Sequence, residues 1–374
     1  MNKLLKLMIL LAMGMGISLQ GQNLILQKSE TITSAMGIKS VVMNSARSKV
    51  YAMNLEDRSV FEFKRNNRKL LRKIIFLPTK GQGYNYAKKK WFPSYQEKPV
   101  EACLTHNDKY LWISLHNAGG VVIWDLTGGS TYVEGKPYKE AWYYEYSTNV
   151  PRKILKKKKV KLLWIKTGKT PKIITSTPNG QYLFVANWHS SSVSVINITS
   201  ATPKNWSIIK TLKTGPIPRG LLVSPDSQFL YIGQMGSDYI SIVNLNTFQK
   251  TQNIKVGINP RHMVMYKGDL FVSLNLSAKL LKVNPISRKI IKSVKTFRKP
   301  RTIALTEDGQ YIFSVSYLDN YLQVFSTDDL HLIGNWRSAV HPVGIAVYQN
   351  ESTIEAWVAN YSSGTIKIFT FTEQ

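Results

Sequence analysis

Five basic residues stand at the same position of a repeated phrase: Lys39, Lys172, Arg219, Arg261 and Arg301. Four of them directly follow a proline, as in Pro171-Lys172-Ile173-Ile174, Pro218-Arg219-Gly220-Leu221, Pro260-Arg261-His262-Met263 and Pro300-Arg301-Thr302-Ile303. Lys39 occupies the equivalent place in Ile38-Lys39-Ser40-Val41, and two further copies carry valine there, Val100 and Val343. A second recurring slot, after the next apolar run, holds Leu55, His116, Trp188, Met235, Asn275, Tyr317 and Tyr361, with His189 beside Trp188. Cations ringed by aromatics and amides suit an anionic or sugar-like ligand, through charge-assisted hydrogen bonds and cation–π contacts. The same pattern has a purely architectural reading: a repeated arginine can bond carbonyls of the neighbouring repeat, and the aromatics can pack beneath their own loops.

A second cluster lies apart from the repeat. Lys156, Lys157, Lys158 and Lys159 follow a stretch that contains Trp142 and Tyr144. Interleaved aromatics and lysines can stack bases and neutralise phosphates, so this run is a candidate polyanion patch, for single-stranded nucleic acid in particular. A solvated basic surface is the alternative.

Motifs for catalysis are missing. There is no Gly-x-Ser-x-Gly, no His-Glu-x-x-His, no calcium loop and, with Cys103 the only cysteine, no cysteine pair for a metal. Gly168-Lys169-Thr170 imitates the end of a phosphate loop, but the required upstream glycine position is Leu163 and a strand follows instead of a helix. No catalytic residue, metal site or cofactor is therefore expected.

The elements that must position these residues are short strands. Prolines 171, 218, 260, 300 and 342 recur 40 to 47 residues apart, each followed by an apolar strand, a polar turn such as Pro178-Asn179-Gly180 or Asp308-Gly309, and further β-rich runs. That period is the signature of propeller blades. Two weaker copies begin at Ile38 and Pro99 and bring the number to seven. The last copy ends after its third strand, so the segment from Leu24 onward is expected to supply the missing outer strand and close the ring. The expectation is an all-β fold: a seven-bladed β-propeller of four-stranded antiparallel blades. Residues 79–98 and 127–157 interrupt the rhythm as insertions.

The phrases around Gly168-Lys169-Thr170-Pro171, Pro178-Asn179-Gly180 and Gly215-Pro216-Ile217-Pro218-Arg219 resemble the YVTN-repeat β-propeller family, which includes surface-layer propellers and YncE-like periplasmic proteins. The likeness is strong over residues 165–370 and degenerate over 36–126. It implies a seven-bladed disc, an exported location, and roles in surface adhesion or nucleic-acid binding. The architecture is shared with seven-bladed lactonases, which are enzymes.

Bulk properties agree with an exported binding protein. Fifty Lys and Arg against 22 Asp and Glu give a net charge of +28, which favours anionic partners. Many of these lysines fall on predicted outer strands (Lys210, Lys250, Lys289, Lys292), where they guard exposed edges. Lys3 and Lys6 precede an uncharged apolar run over residues 7–19, so residues 1–22 read as an export signal and 23–374 as one propeller domain. The chain is thus expected in the periplasm or on the surface of a bacterium. It reads as a non-enzymatic binding propeller for a polyanion, a nucleic acid, a glycan or an envelope protein. A lactonase-type hydrolase using His116, His189, Arg219 and Arg261 on the same face is the alternative.

Overall fold

The computed structural model describes residues 24–85 and 88–373, so the expected export signal lies outside the described residues. Seven antiparallel blades surround a central channel. The innermost strands are Ile38–Met43, Pro99–Thr105, Pro171–Ser176, Pro218–Val223, Pro260–Tyr266, Pro300–Leu305 and Pro342–Gln349, for blades 1 to 7. Each packs against the next in order, and that of blade 7 packs against that of blade 1. Blades 3 to 6 are plain four-stranded sheets in sequence order. Blade 7 takes its outer strand from the other end of the chain: Leu24–Thr33 pairs antiparallel with Thr365–Glu373, Leu24 opposite Glu373 and Thr33 opposite Thr365. The expected closure is thereby met, and it leaves no seam along which the ring would open.

The second and third strands of each blade are sandwiched between neighbours, which is why they read as nearly continuous apolar runs: every residue of Tyr110–Leu115 and Tyr311–Ser316 is buried. Among the described residues, seven apolar clusters occupy the seven blade interfaces. Fully buried Trp112 at the blade 2–3 interface and Trp357 at the blade 7–1 interface anchor two of them. Outer strands are exposed and polar, as in Gln249–Lys255. In blades 1, 3, 4, 6 and 7 the turn after the inner strand is held by side chains on its own backbone. Thr306 Oγ1 donates to Asp308 at 2.6 Å, and the Gln310 amide donates to the same carboxylate at 2.9 Å. Gly309 turns through φ +72°, and a side chain there would strike the Tyr266 ring.

Both expected insertions carry strands. Lys80–Asn85 and Lys90–Tyr95 form a separate hairpin. Tyr138–Tyr146 pairs on one side with the outer strand of blade 1 (Leu70–Phe76) and on the other with the long strand Ile154–Lys166, whose far end is the outer strand of blade 2. Blades 1 and 2 thereby merge into one nine-stranded sheet that folds around a shared core. No helix of the described residues is long and apolar enough to cross a membrane.

Candidate functional site

The first residue of each inner strand pairs with the last residue of the second strand: Pro171 with Asn187, Pro218 with Gln234, Pro300 with Ser316. The recurring basic slot and the following loop therefore open on one face of the disc. In all seven blades the register slips directly after this pairing, so the slot residue is a bulge. A bulge leaves its residue out of the ladder and re-aims the side chain. Entry to six of the inner strands turns through left-handed backbone, at Gly37, Thr170, Ile217, Asn259, Lys299 and His341. For β-branched Thr170 and Ile217 that conformation costs on the order of 1–3 kcal/mol.

These devices bring Lys39, Lys172, Arg219, Arg261 and Arg301 together at the channel mouth. Lys172, Arg219 and Arg261 are buried, and Lys39 and Arg301 are half-buried. The second slot lies among them. Lys39 Nζ stands 3.8 Å from the Tyr361 ring centre, Lys172 Nζ 4.5 Å from Trp188 and the Arg301 guanidinium 4.1 Å from Tyr317. Lys172 Nζ also lies 2.7 Å from His116 Nδ1, and Arg261 Nη1 donates to Met235 Sδ at 3.4 Å. His189 sits further out. Its Nδ1 is 2.6 Å from Thr170 Oγ1, and its ring meets Tyr84 and Trp91 of the 80–95 hairpin, which reaches across the same face.

Two carboxylates face this charge, and sequence reasoning passed over both. Glu101, in the two-residue bulge of blade 2, accepts from Arg219 Nη2 at 2.5 Å across the mouth. Glu56 lies at the rim, taken up by Lys98 at 2.6 Å and by the Tyr361 hydroxyl at 3.1 Å. Glu101 was legible only in part: Pro99-Val100-Glu101 places an acid one step beyond the slot. The balance is five basic side chains against one buried carboxylate. Arg219 Nε and Nη1 and Arg301 Nε are buried and meet no hydrogen-bond partner among the described residues.

The electrostatics register the crowding. Burial, with Arg301 and Arg261 next in effect, pulls the Lys39 ammonium down to about 7. Burial and neighbouring cations hold Lys172 and Arg261 well below their usual ranges, and Arg301 falls to about 10. Burial and then Lys172 keep His116 neutral, and His262 is pushed to about 3 by burial with Arg219 and Arg261. An anion in the mouth would relieve all of these at once, accepting the spare guanidinium hydrogens and favouring the charged forms of Lys39 and Lys172. Among the described residues no three His, Cys, Asp or Glu side chains come together in a metal-holding group.

The second sequence candidate lies elsewhere. Trp142 faces Lys159, and Tyr144 faces Lys157, in register across the 138–166 hairpin, with Lys73 of blade 1 beside Tyr144. Lys156 opposes Glu145 and Lys158 opposes Tyr143, so these two lysines alternate to the other side of the strand.

The fold and this mouth define a seven-bladed β-propeller. A family model described as "Lactonase, 7-bladed beta-propeller" matches residues 153–267. Among solved structures, the chain is similar to the β-propeller domain of Cps50 (Swd1) from Myceliophteria thermophila, with a TM-score of 0.66 and 12% identity, over 91% of this chain and 99% of that one. At that identity the likeness speaks for the fold alone. No curated protein matches.

Proposed function

We propose that the chain is a binding propeller whose channel mouth captures an anionic group. The observation that carries this reading is buried Arg219, with two guanidinium nitrogens unpaired, inside a ring of five basic side chains and a single buried carboxylate. Buried donors without partners cost about 1–3 kcal/mol each, more for charged groups, and the oxygens of a phosphate or carboxylate would accept from them. Trp188 and Tyr361, each under a cation, supply flat rings for the organic part of such a ligand. The resemblance to the YVTN-repeat propellers, and with it an exported location in the bacterial envelope, supports the same reading. Calorimetric titration with citrate, inorganic phosphate and a single-stranded oligothymidylate tests it. Binding that weakens roughly ten- to a hundredfold in Arg219→Ala is expected; heat-silent titrations with all three would reject it.

The lactonase match favours a second reading, hydrolysis of a lactone at the same mouth. Neutral His116 could take the proton of the attacking water, and Arg219 could steady the oxyanion. A lactone screen that shows no hydrolysis above the buffer rate, with His116→Ala as control, removes this reading.

A further inference from the structure

The hairpin formed by Tyr138–Tyr146 and Ile154–Lys166 ends in a tip whose composition the channel mouth does not explain. Val150, Ile154 and Leu155 are 49%, 48% and 59% exposed. A soluble surface gains nothing by gathering three aliphatic side chains within six residues. Between and behind them stand Arg152, Lys153, Lys156, Lys157 and Lys159, all exposed. Further along the strands come the aromatic rings. Lys157 Nζ is 4.8 Å from the Trp142 ring centre, Lys159 Nζ 5.4 Å from Trp142, and Lys73 Nζ 5.1 Å from Tyr144 and 5.6 Å from Tyr146.

The nearby acids do not cancel this charge at the tip. Glu145 faces Lys156 in register, on the side of the sheet away from Lys157 and Lys159, with the Tyr143 hydroxyl donating to it at 3.2 Å, and Glu140, nearer the disc, is matched by Lys161 in register, so Arg152, Lys153, Lys157 and Lys159 carry the collar. The tip is tied to the disc where Lys69 Nζ donates to the Thr148 carbonyl at 2.5 Å. Beside that tie is a cleft lined by Leu70, Tyr146 and Pro151 together with Lys69 and Arg152. Leu70 begins the outer strand of blade 1 and Lys69 directly precedes it, so the tip lies at the face of the disc opposite the channel mouth.

The order along the hairpin is aliphatic tip, cationic collar, aromatic band. Aliphatic groups enter the acyl region, Trp and Tyr rings rest at the headgroup level, and lysines reach anionic headgroups from stems laid on apolar surface. We propose that this tip docks the propeller onto an anionic lipid bilayer. A nucleic acid would use the lysines and the rings but leave Val150, Ile154 and Leu155 without a role. The docking surface is independent of the mouth and does not rest on the function proposed for it.

The test is co-sedimentation of residues 23–374, which carry every described strand, with vesicles of phosphatidylglycerol mixed into phosphatidylcholine and of phosphatidylcholine alone. Leaving out residues 1–22 removes an apolar run that would bind lipid by itself. The protein should sediment with the anionic vesicles only. Val150→Asp/Ile154→Asp/Leu155→Asp should lower the vesicle affinity at least about tenfold. Each of Lys157→Gln and Lys159→Gln should lower it about fivefold. The altered residues are exposed, so unchanged thermal midpoints confirm the fold, and Arg219→Ala should bind vesicles like the parent. Failure to sediment with anionic vesicles overturns the proposal. So does an aspartate triple variant that sediments like the parent, and an oligonucleotide bound by that variant would then assign the lysines to nucleic acid.

Discussion

Two cationic regions of this propeller put the same charges to opposite physical use. At the channel mouth, Lys39, Lys172, Arg219, Arg261 and Arg301 are drawn inward by five β-bulges until they crowd one another and Glu101. On the 138–166 hairpin, Lys156, Lys157 and Lys159 stand in solvent, two of them over Trp142 and Tyr144. The surface lysines cost little and attract anions at long range. The buried ones carry desolvation and mutual repulsion, a cost the fold can bear only where blade packing over-determines the backbone. Net charge alone would not separate the two; burial does.

The comparison breaks most visibly at Glu101. Glu101→Gln leaves Arg219 buried without its carboxylate and should destabilise the protein by about 3–5 kcal/mol in urea titration. Lys157→Gln on the hairpin should shift the same transition by no more than about 0.5 kcal/mol. Equal effects at the two sites would erase the distinction.

A pH series sharpens it. Lys39 is depressed to about 7 in the folded chain, against an ordinary lysine value of 10.5. Between those values the unfolded chain binds more protons than the folded one, so stability rises with pH from about 7 towards 10. The thermal midpoint of the ligand-free protein should climb over that window, and Lys39→Met should flatten the climb. Anion affinity should run the other way, falling as pH rises through about 7 and Lys39 loses its charge. At the rings of the mouth the effect is smaller than at Glu101: Tyr317→Leu removes the face under Arg301 and should cost about 0.5–2 kcal/mol of stability by the loss of a partly desolvated cation–π contact.

Much of the fold is legible in the residues because the blades repeat one local solution: a proline or its equivalent entering the inner strand, in five of them an Asp- or Asn-held turn, and apolar strands buried on both faces. Ring closure was legible too, since the last repeat lacks a strand that residues from Leu24 onward can supply. The basic slot was visible as a repeat, but its function as a bulge was not, because register slips depend on how the second strand pairs. Glu101 escaped notice because it stands one step beyond the aligned slot, and only the ring places it across the mouth from Arg219. The merging of blades 1 and 2 was hidden as well. The strand Tyr138–Tyr146 reads as an aromatic insertion, and only its pairing with both Leu70–Phe76 and Ile154–Lys166 shows that it continues the sheet.

The most direct test of the central claim, that the crowded mouth exists to hold an anion, is proton-linked calorimetry. Citrate would be titrated near pH 7.5 in two buffers of different ionisation enthalpy, with Lys39→Met and Arg219→Ala alongside the parent. Net proton uptake on binding is predicted, diminished in Lys39→Met, with affinity lost in Arg219→Ala. Binding with no proton uptake and no dependence on either residue would contradict the account.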